Sequence, residues 1–311
     1  MEDMPMFSRT SPGTGAQSPT VTGFHDPATG SIQYVVADDS TKKAALIDVV
    51  LDFDPAEART RHDSAQEIVD FVRSEGLEVE WILDTHPHAD HLMASAWLKE
   101  QLGAPAAIGA RVRDIARLWG KIYNTPGAFD PDRDFDRLFE DGDTFKLGNL
   151  DVRVMLSPGH TLGSITYVVG DDAAFVHDTL MHVDVGTSRA DFPGGSSNEL
   201  YDSLQAILAL PDQTRLFIGH DYPPVGIAQS LPGKRPWPAT RPKIRMSGAR
   251  QRVKPSPGFA MIATPRSACR TGCSTPCRST CAAVACPIPK ATGIATSRSP
   301  QTVSETRKDQ E

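Results

Sequence analysis

Cysteine is missing from the first 268 of the 311 residues, and histidine is missing after residue 220. The first absence excludes disulfides and thiolate metal ligands from most of the chain. All five cysteines (Cys269, Cys273, Cys277, Cys281 and Cys286) crowd near the end, at spacings that lack the CxxC pairs of a zinc site. On a helix, cysteines four apart would share a face, but Pro276 breaks that run. No apolar run is long enough to cross a bilayer, so no membrane role is expected. Residues 1–18 are rich in Ser, Pro, Gly and Thr and lack the basic-then-apolar pattern of a signal peptide. They predict a disordered leader on a cytoplasmic protein.

Each part of the chain is also short of one charge sign. Residues 1–225 carry 17 Lys+Arg against 36 Asp+Glu, a balance of −19. Residues 226–311 carry 15 against 3, a balance of +12, and the two return the −7 of the whole chain. Phosphate binding needs clustered Lys and Arg, so the acidic body argues against nucleic acid as a partner. The basic tail has no helical or alternating apolar period. It cannot bury enough surface to offset about 1–2 kcal/mol of backbone entropy per ordered residue. A disordered tail without site residues is therefore expected, and the chemistry is expected in residues 19–225.

Within that body, residues 20–25 and 31–37 are β-rich runs joined by the turn Asp26-Pro27-Ala28-Thr29-Gly30. Further strands are expected at 44–50, 79–83, 150–156, 164–169, 173–176 and 216–218. Ser64, with Glu67 three residues on, forms a capping box for a helix up to Gly76. Helices are also expected at 92–102, 111–121 and 198–210. Strands mixed with helices point to an α/β layered domain.

His86, His88, Asp90 and His91 form H-x-H-x-D-H directly after the strand at 79–83. Any one of these histidines alone would be read as an ordinary core or surface residue. Three imidazoles and a carboxylate within six residues suit Zn(2+) or Fe(2+), which accept nitrogen and oxygen ligands. His160 sits in the tight turn Ser157-Pro158-Gly159-His160-Thr161 after a strand; Asp178 and His220 each follow a short apolar strand. Ligand candidates thus fall at strand ends four times, where a sheet edge brings distant sequence together. His177 and His182 read as structural or surface residues.

THPHADH at 85–91, SPGHT at 157–161, HDTL at 177–180 and GHDY at 219–222 resemble the metallo-β-lactamase superfamily. GTSRADFPGG at 186–195 resembles the persulfide dioxygenases within it. The resemblance covers about residues 19–224 and implies an αββα sandwich of two mixed sheets between helices. It implies one Fe(2+) per chain on His86, His160 and Asp178, a two-His-one-carboxylate set with positions open for oxygen chemistry. His88, Asp90, His91 and His220 would then serve catalysis by orienting ligands and bound water. Arg189 and Tyr222 match the residues on the glutathione side, and Asp221 an acid buttressing that tyrosine. Arginine suits a substrate carboxylate through paired hydrogen bonds. The implied reaction oxidises glutathione persulfide with O2 to sulfite; the resemblance also allows a homodimer.

Two other readings stay open. In a dinuclear zinc thioesterase resembling glyoxalase II, His88, Asp90, His91 and His220 become ligands too. In an inactive member, the altered C-terminus has disabled the site. Persulfide dioxygenases of this kind continue past Pro224 with a helical segment and end near Tyr-Leu-Lys-Ile-Pro, which this chain does not. Residues 287–300 can be back-translated, with free choice of third bases, so that a shifted frame reads Asp-Pro-Glu-Gly-Asp-Gly-Asn-Arg-Tyr-Leu-Lys-Ile-Pro. The tail is accordingly read as frameshifted.

Overall fold

Short apolar runs broken by Gly, Pro and Asp make this a strand-rich chain. The computed structural model describes residues 6–182 and 185–222. The expected tail, 226–311, lies outside the described residues. The first half contains β1 (Phe7–Ser11), β2 (Thr20–His25), β3 (Ile32–Asp38), β4 (Lys43–Ile47), β5 (Val50–Asp54), β6 (Arg59–Arg61) and α1 (Asp63–Ser74). It continues with β7 (Glu78–Leu83), β8 (Leu92–Met93), α2 (Ser95–Leu102), β9 (Ala106–Gly109) and α3 (Val112–Ile122). Then come α4 (Pro131–Asp134), β10 (Arg137–Phe139), β11 (Thr144–Leu147) and β12 (Leu150–Leu156). Last are β13 (Ile165–Val169), β14 (Ala173–His177), α5 (Ser197–Leu208) and β15 (Arg215–Ile218).

A seven-stranded sheet runs β1-β2-β3-β4-β7-β9-β10 and a five-stranded sheet runs β11-β12-β13-β14-β15. Both are mixed: β4, β7, β9 and β10 are mutually parallel, as are β14 and β15, while the remaining pairs are antiparallel. β5, β6 and β8 make a small antiparallel sheet beside them. β3 shows how the layers are specified. Tyr34 and Val36 face the five-stranded sheet, packing with Val154, Tyr167 and Phe175. Val35 and Ala37 face the other way, onto Ile68 and Val72 of α1 and Leu98 of α2. Successive side chains point to opposite faces, so a strand buried on both must be apolar throughout. Ile207 of α5 joins the inter-sheet cluster. The fold is the expected α/β sandwich of the metallo-β-lactamase type.

Three sequence expectations are corrected. Ser64 does not cap α1, whose N-cap is His62; its hydroxyl donates to Asp52 Oδ1 instead. The helix expected at 92–102 starts only at Ser95, because Leu92 and Met93 pair with β5 as a strand.

The leader expected at 1–18 is ordered from Met6 onward. β1 pairs with β2 from Phe7↔His25 to Ser11↔Val21. Arg215 donates to the carbonyls of Ser11, Pro12 and Pro19 and to Ser18 Oγ, and pairs with Asp172 at 2.9 Å. Asp172 also accepts from Thr14 and Ser18. Composition suggested disorder because it takes no account of an open sheet edge or a buried guanidinium, both of which supply backbone partners from elsewhere. Arg215→Ala would leave Asp172 without its cation; the urea unfolding free energy should fall by about 3 kcal/mol. An unchanged midpoint would mean that the segment adds nothing to stability.

Candidate metal centre

Four strand ends deliver the site. β7 leads into His86, β12 into the turn holding His160, β14 into Asp178 and β15 into His220. Gly159 has φ +129°, and a Cβ there would lie 2.2 Å from the backbone nitrogen of Leu200, so only glycine permits this turn to carry His160 inward. Gly219 does the same before His220, where a Cβ would meet His177 Nδ1 at 2.4 Å.

Asp178 Oδ2 lies 3.7 Å from His86 Nε2 and 3.7 Å from His160 Nε2. His86 Nε2 is buried and makes no hydrogen bond. The other nitrogen of each ring is already held. His160 Nδ1 donates to the Arg189 carbonyl at 2.8 Å, leaving its Nε2 with a free lone pair. Thr85 Oγ1 donates to Asp48 Oδ2 at 2.8 Å, so its oxygen can only accept from His86 Nδ1, 3.0 Å away. Both Nε2 atoms are therefore left as acceptors beside the carboxylate. An ion bound at Asp178 Oδ2 would satisfy the orphaned His86 nitrogen, and His160 Nε2 would have to draw closer to join it, since His160 is in neither group of donors that lie within 4.8 Å of one another. Burial, and then the neighbouring His88, push His86 well below the usual imidazole range, which keeps it in the neutral, ligating form.

The remaining motif residues converge on the same place. His220 Nδ1 lies 2.7 Å from Asp178 Oδ1 and its Nε2 lies 2.9 Å from Asp90 Oδ2. Burial disfavours its charge, but hydrogen bonds to Asp178 and Asp90 raise its pKa to about 10. Burial likewise opposes ionisation of Asp178, yet contacts with His177 and His220 hold it well below the usual carboxylate range. His88, Asp90 and His91 form a donor group of their own, and His86, His88, His177 and Asp178 another; within each group the ligand atoms lie within 4.8 Å of one another. His177 is held at Nε2 by Asp48 Oδ2, 3.0 Å away, and its Nδ1 lies 3.3 Å from Asp178 Oδ1.

Sequence reasoning missed three residues. Asp48 is buried with φ +52° and accepts from both the nitrogen and the hydroxyl of Thr85. His177, read as structural or surface, is buried with φ +38° and touches the rings of His86, His88 and His220. Asp84 is buried under Ser95; burial and then Asp48 raise its pKa to about 7. For Asp48 and Asp84 the legible signal was a carboxylate directly after the apolar end of a strand, as for Asp178. His182 is buried and belongs to neither donor group.

Arg189 and Tyr222 are placed differently from the metal residues. The Arg189 guanidinium forks onto Asp191 at 2.6 and 2.9 Å and lies over the Phe192 ring. Tyr222 stacks on His220 and covers Gly30. The Asp221 carbonyl accepts from His25 at 3.1 Å. Beside the histidines opens a cavity of about 730 Å3, walled largely by α2, α3 and the segment around α4.

A sequence model of the metallo-beta-lactamase superfamily matches residues 28–220. The chain belongs to the metallo-beta-lactamase superfamily. It is 58% identical over 210 residues to the beta-lactamase hydrolase-like protein of Xylella fastidiosa, covering 68% of this chain and 48% of that one. The chain thus spans about half the length of that relative. It is 30% identical over 199 residues to human persulfide dioxygenase ETHE1, covering 63% and 66%. The crystal structure of ETHE1 from Myxococcus xanthus is similar to it over 64% of this chain and 75% of that one, with 31% identity and a TM-score of 0.51. Members of the superfamily are metal-dependent enzymes, and the donor set described above suits a divalent ion. Among the described residues no helix is long and apolar enough to cross a membrane.

Proposed function

We propose that the protein is a persulfide dioxygenase with one Fe(2+) on His86, His160 and Asp178, oxidising the sulfane sulfur of glutathione persulfide with O2. The observation that carries this reading is the pair of Nε2 atoms, each fixed in its ligating tautomer, facing one carboxylate oxygen. The likeness to ETHE1 proteins supports iron and sulfur as the chemistry. Bound by these residues, iron would supply the redox chemistry for passing oxygen to the persulfide sulfur.

The chain's own residues do the rest. His220 holds Asp178 through Oδ1, so that Oδ2 stays aimed at His86 and His160. His220 also ties Asp90 in place, and with His88 and His91 these groups orient water beside the substrate. The Ser188 hydroxyl donates to the Asp178 carbonyl and anchors the loop that carries Arg189.

Oxygen uptake matched one-to-one by sulfite, with glutathione persulfide as substrate, is the expected result. A dinuclear zinc thioesterase is the second reading, favoured by the separate donor group His88, Asp90 and His91. Two tightly held zinc ions per chain with thioester hydrolysis, and no oxygen uptake, would establish it instead. Arg189→Ala should raise KM for glutathione persulfide roughly 10-fold, the lower end for one charge-assisted hydrogen bond, because the guanidinium must leave Asp191 to bind substrate. Iron content should not change, since His160 is held by the backbone carbonyl of residue 189, which alanine retains. Loss of iron would show that the side chain supports the centre rather than the substrate.

A further inference from the structure

The cavity beside the histidines is larger than a persulfide sulfur and O2 require, and its chemistry does not match glutathione. It begins at His86, His88, His91 and His160, and its volume of about 730 Å3 suits a whole small molecule. Met93, Trp119, Tyr123, Phe129, Phe135 and Phe192 wall it. Among the described residues no lysine or arginine lines it; its charged members, apart from the histidines, are Asp84, Asp130 and Asp134. Nearby cations are already paired: Arg133 with Asp134, Arg113 with Asp132 and Arg189 with Asp191. Tyr123, stacked on Trp119, is 63% exposed and Phe129 48%, so this wall presents aromatic surface to an apolar ligand. Glutathione, with two carboxylates and one ammonium, would bring little apolar surface for the rings.

We propose that the site also takes uncharged aryl and alkyl persulfides, with the sulfane sulfur at the metal ligands and the apolar body along this groove. The proposal rests on the dioxygenase reading above and extends its substrate class. The balanced step joins one persulfide, one O2 and one water to give one thiol, one sulfite and two protons. The S–S bond breaks, the departing thiolate takes a proton, and the sulfane sulfur gives four electrons to O2.

The full-length iron-loaded protein should be titrated with 2-phenylethanethiol while tryptophan fluorescence is followed, with Trp119→Phe as the control for the reporting residue. Saturable quenching that disappears in the control is expected. In turnover, 2-phenylethyl persulfide should be oxidised, and Trp119→Ala should raise its KM about 10-fold or more, since an aromatic wall is lost. Tyr123→Asp, at an exposed position where folding is not at risk, should raise the same KM in the same direction. Oxidation of glutathione persulfide alone, or equal KM increases for both substrates, would overturn the proposal. If neither persulfide is oxidised, the dioxygenase reading fails, and the thiol titration still decides the groove: no quenching means no apolar site.

Discussion

His160→Ala should reduce iron from one per chain to less than about a tenth after anaerobic reconstitution and gel filtration. The expectation follows from how the three donors are arranged. Asp178 Oδ2 is the shared neighbour of His86 Nε2 and His160 Nε2, and removing one imidazole leaves a two-ligand site. Even changes to groups that merely orient a ligand cost roughly 10- to 100-fold in metal affinity, and loss of a ligand itself costs more. His177 is already tied through Nε2 to Asp48 at 3.0 Å. Retention of a full iron by the variant would move the centre to the donor group of His86, His88, His177 and Asp178.

The second large effect is expected at a residue that touches no metal. Asp48 accepts from Thr85 N, Thr85 Oγ1 and, at ion-pair distance, from His177 and His88. Asp48→Ala would leave all of these without their acceptor in a region closed to water, a loss of about 3–5 kcal/mol. It should unfold at markedly lower urea and bind no iron. A milder pair of variants separates stability from tautomer control. Thr85→Val keeps the shape but offers His86 Nδ1 no acceptor, so iron affinity should fall roughly 10- to 100-fold with the fold intact. Thr85→Ser should restore it. Equal affinities in the valine and serine variants would mean that the hydroxyl does not set the His86 tautomer.

The metal motifs were legible in the sequence because each sits where an apolar run stops, and strand ends are where this fold collects its ligands. His86, His160, Asp178 and His220 could be read that way without coordinates. Asp48 ends an equally apolar run, but it stands alone, without a neighbouring histidine, and gave no motif. His177 was dismissed because its side-chain direction depends on a left-handed backbone that nothing local in the sequence announces. The N-terminal strand failed for a related reason. Its partners are the edge of β2 and a buried arginine more than two hundred residues away, and local composition carries no trace of either. Helix boundaries went wrong where tertiary pairing outcompeted helix periodicity, as at Leu92 and Met93.

The donors come from both layers of the sandwich: His86 follows a strand of the seven-stranded sheet, while His160 and Asp178 follow strands of the five-stranded one. An ion held at that junction would act as a rivet between the layers as well as a reaction centre. Its binding would add about 4 kcal/mol to the cohesion of the fold when free metal stands a thousandfold above its dissociation constant. Loading with metal would then raise resistance to unfolding before any substrate is met.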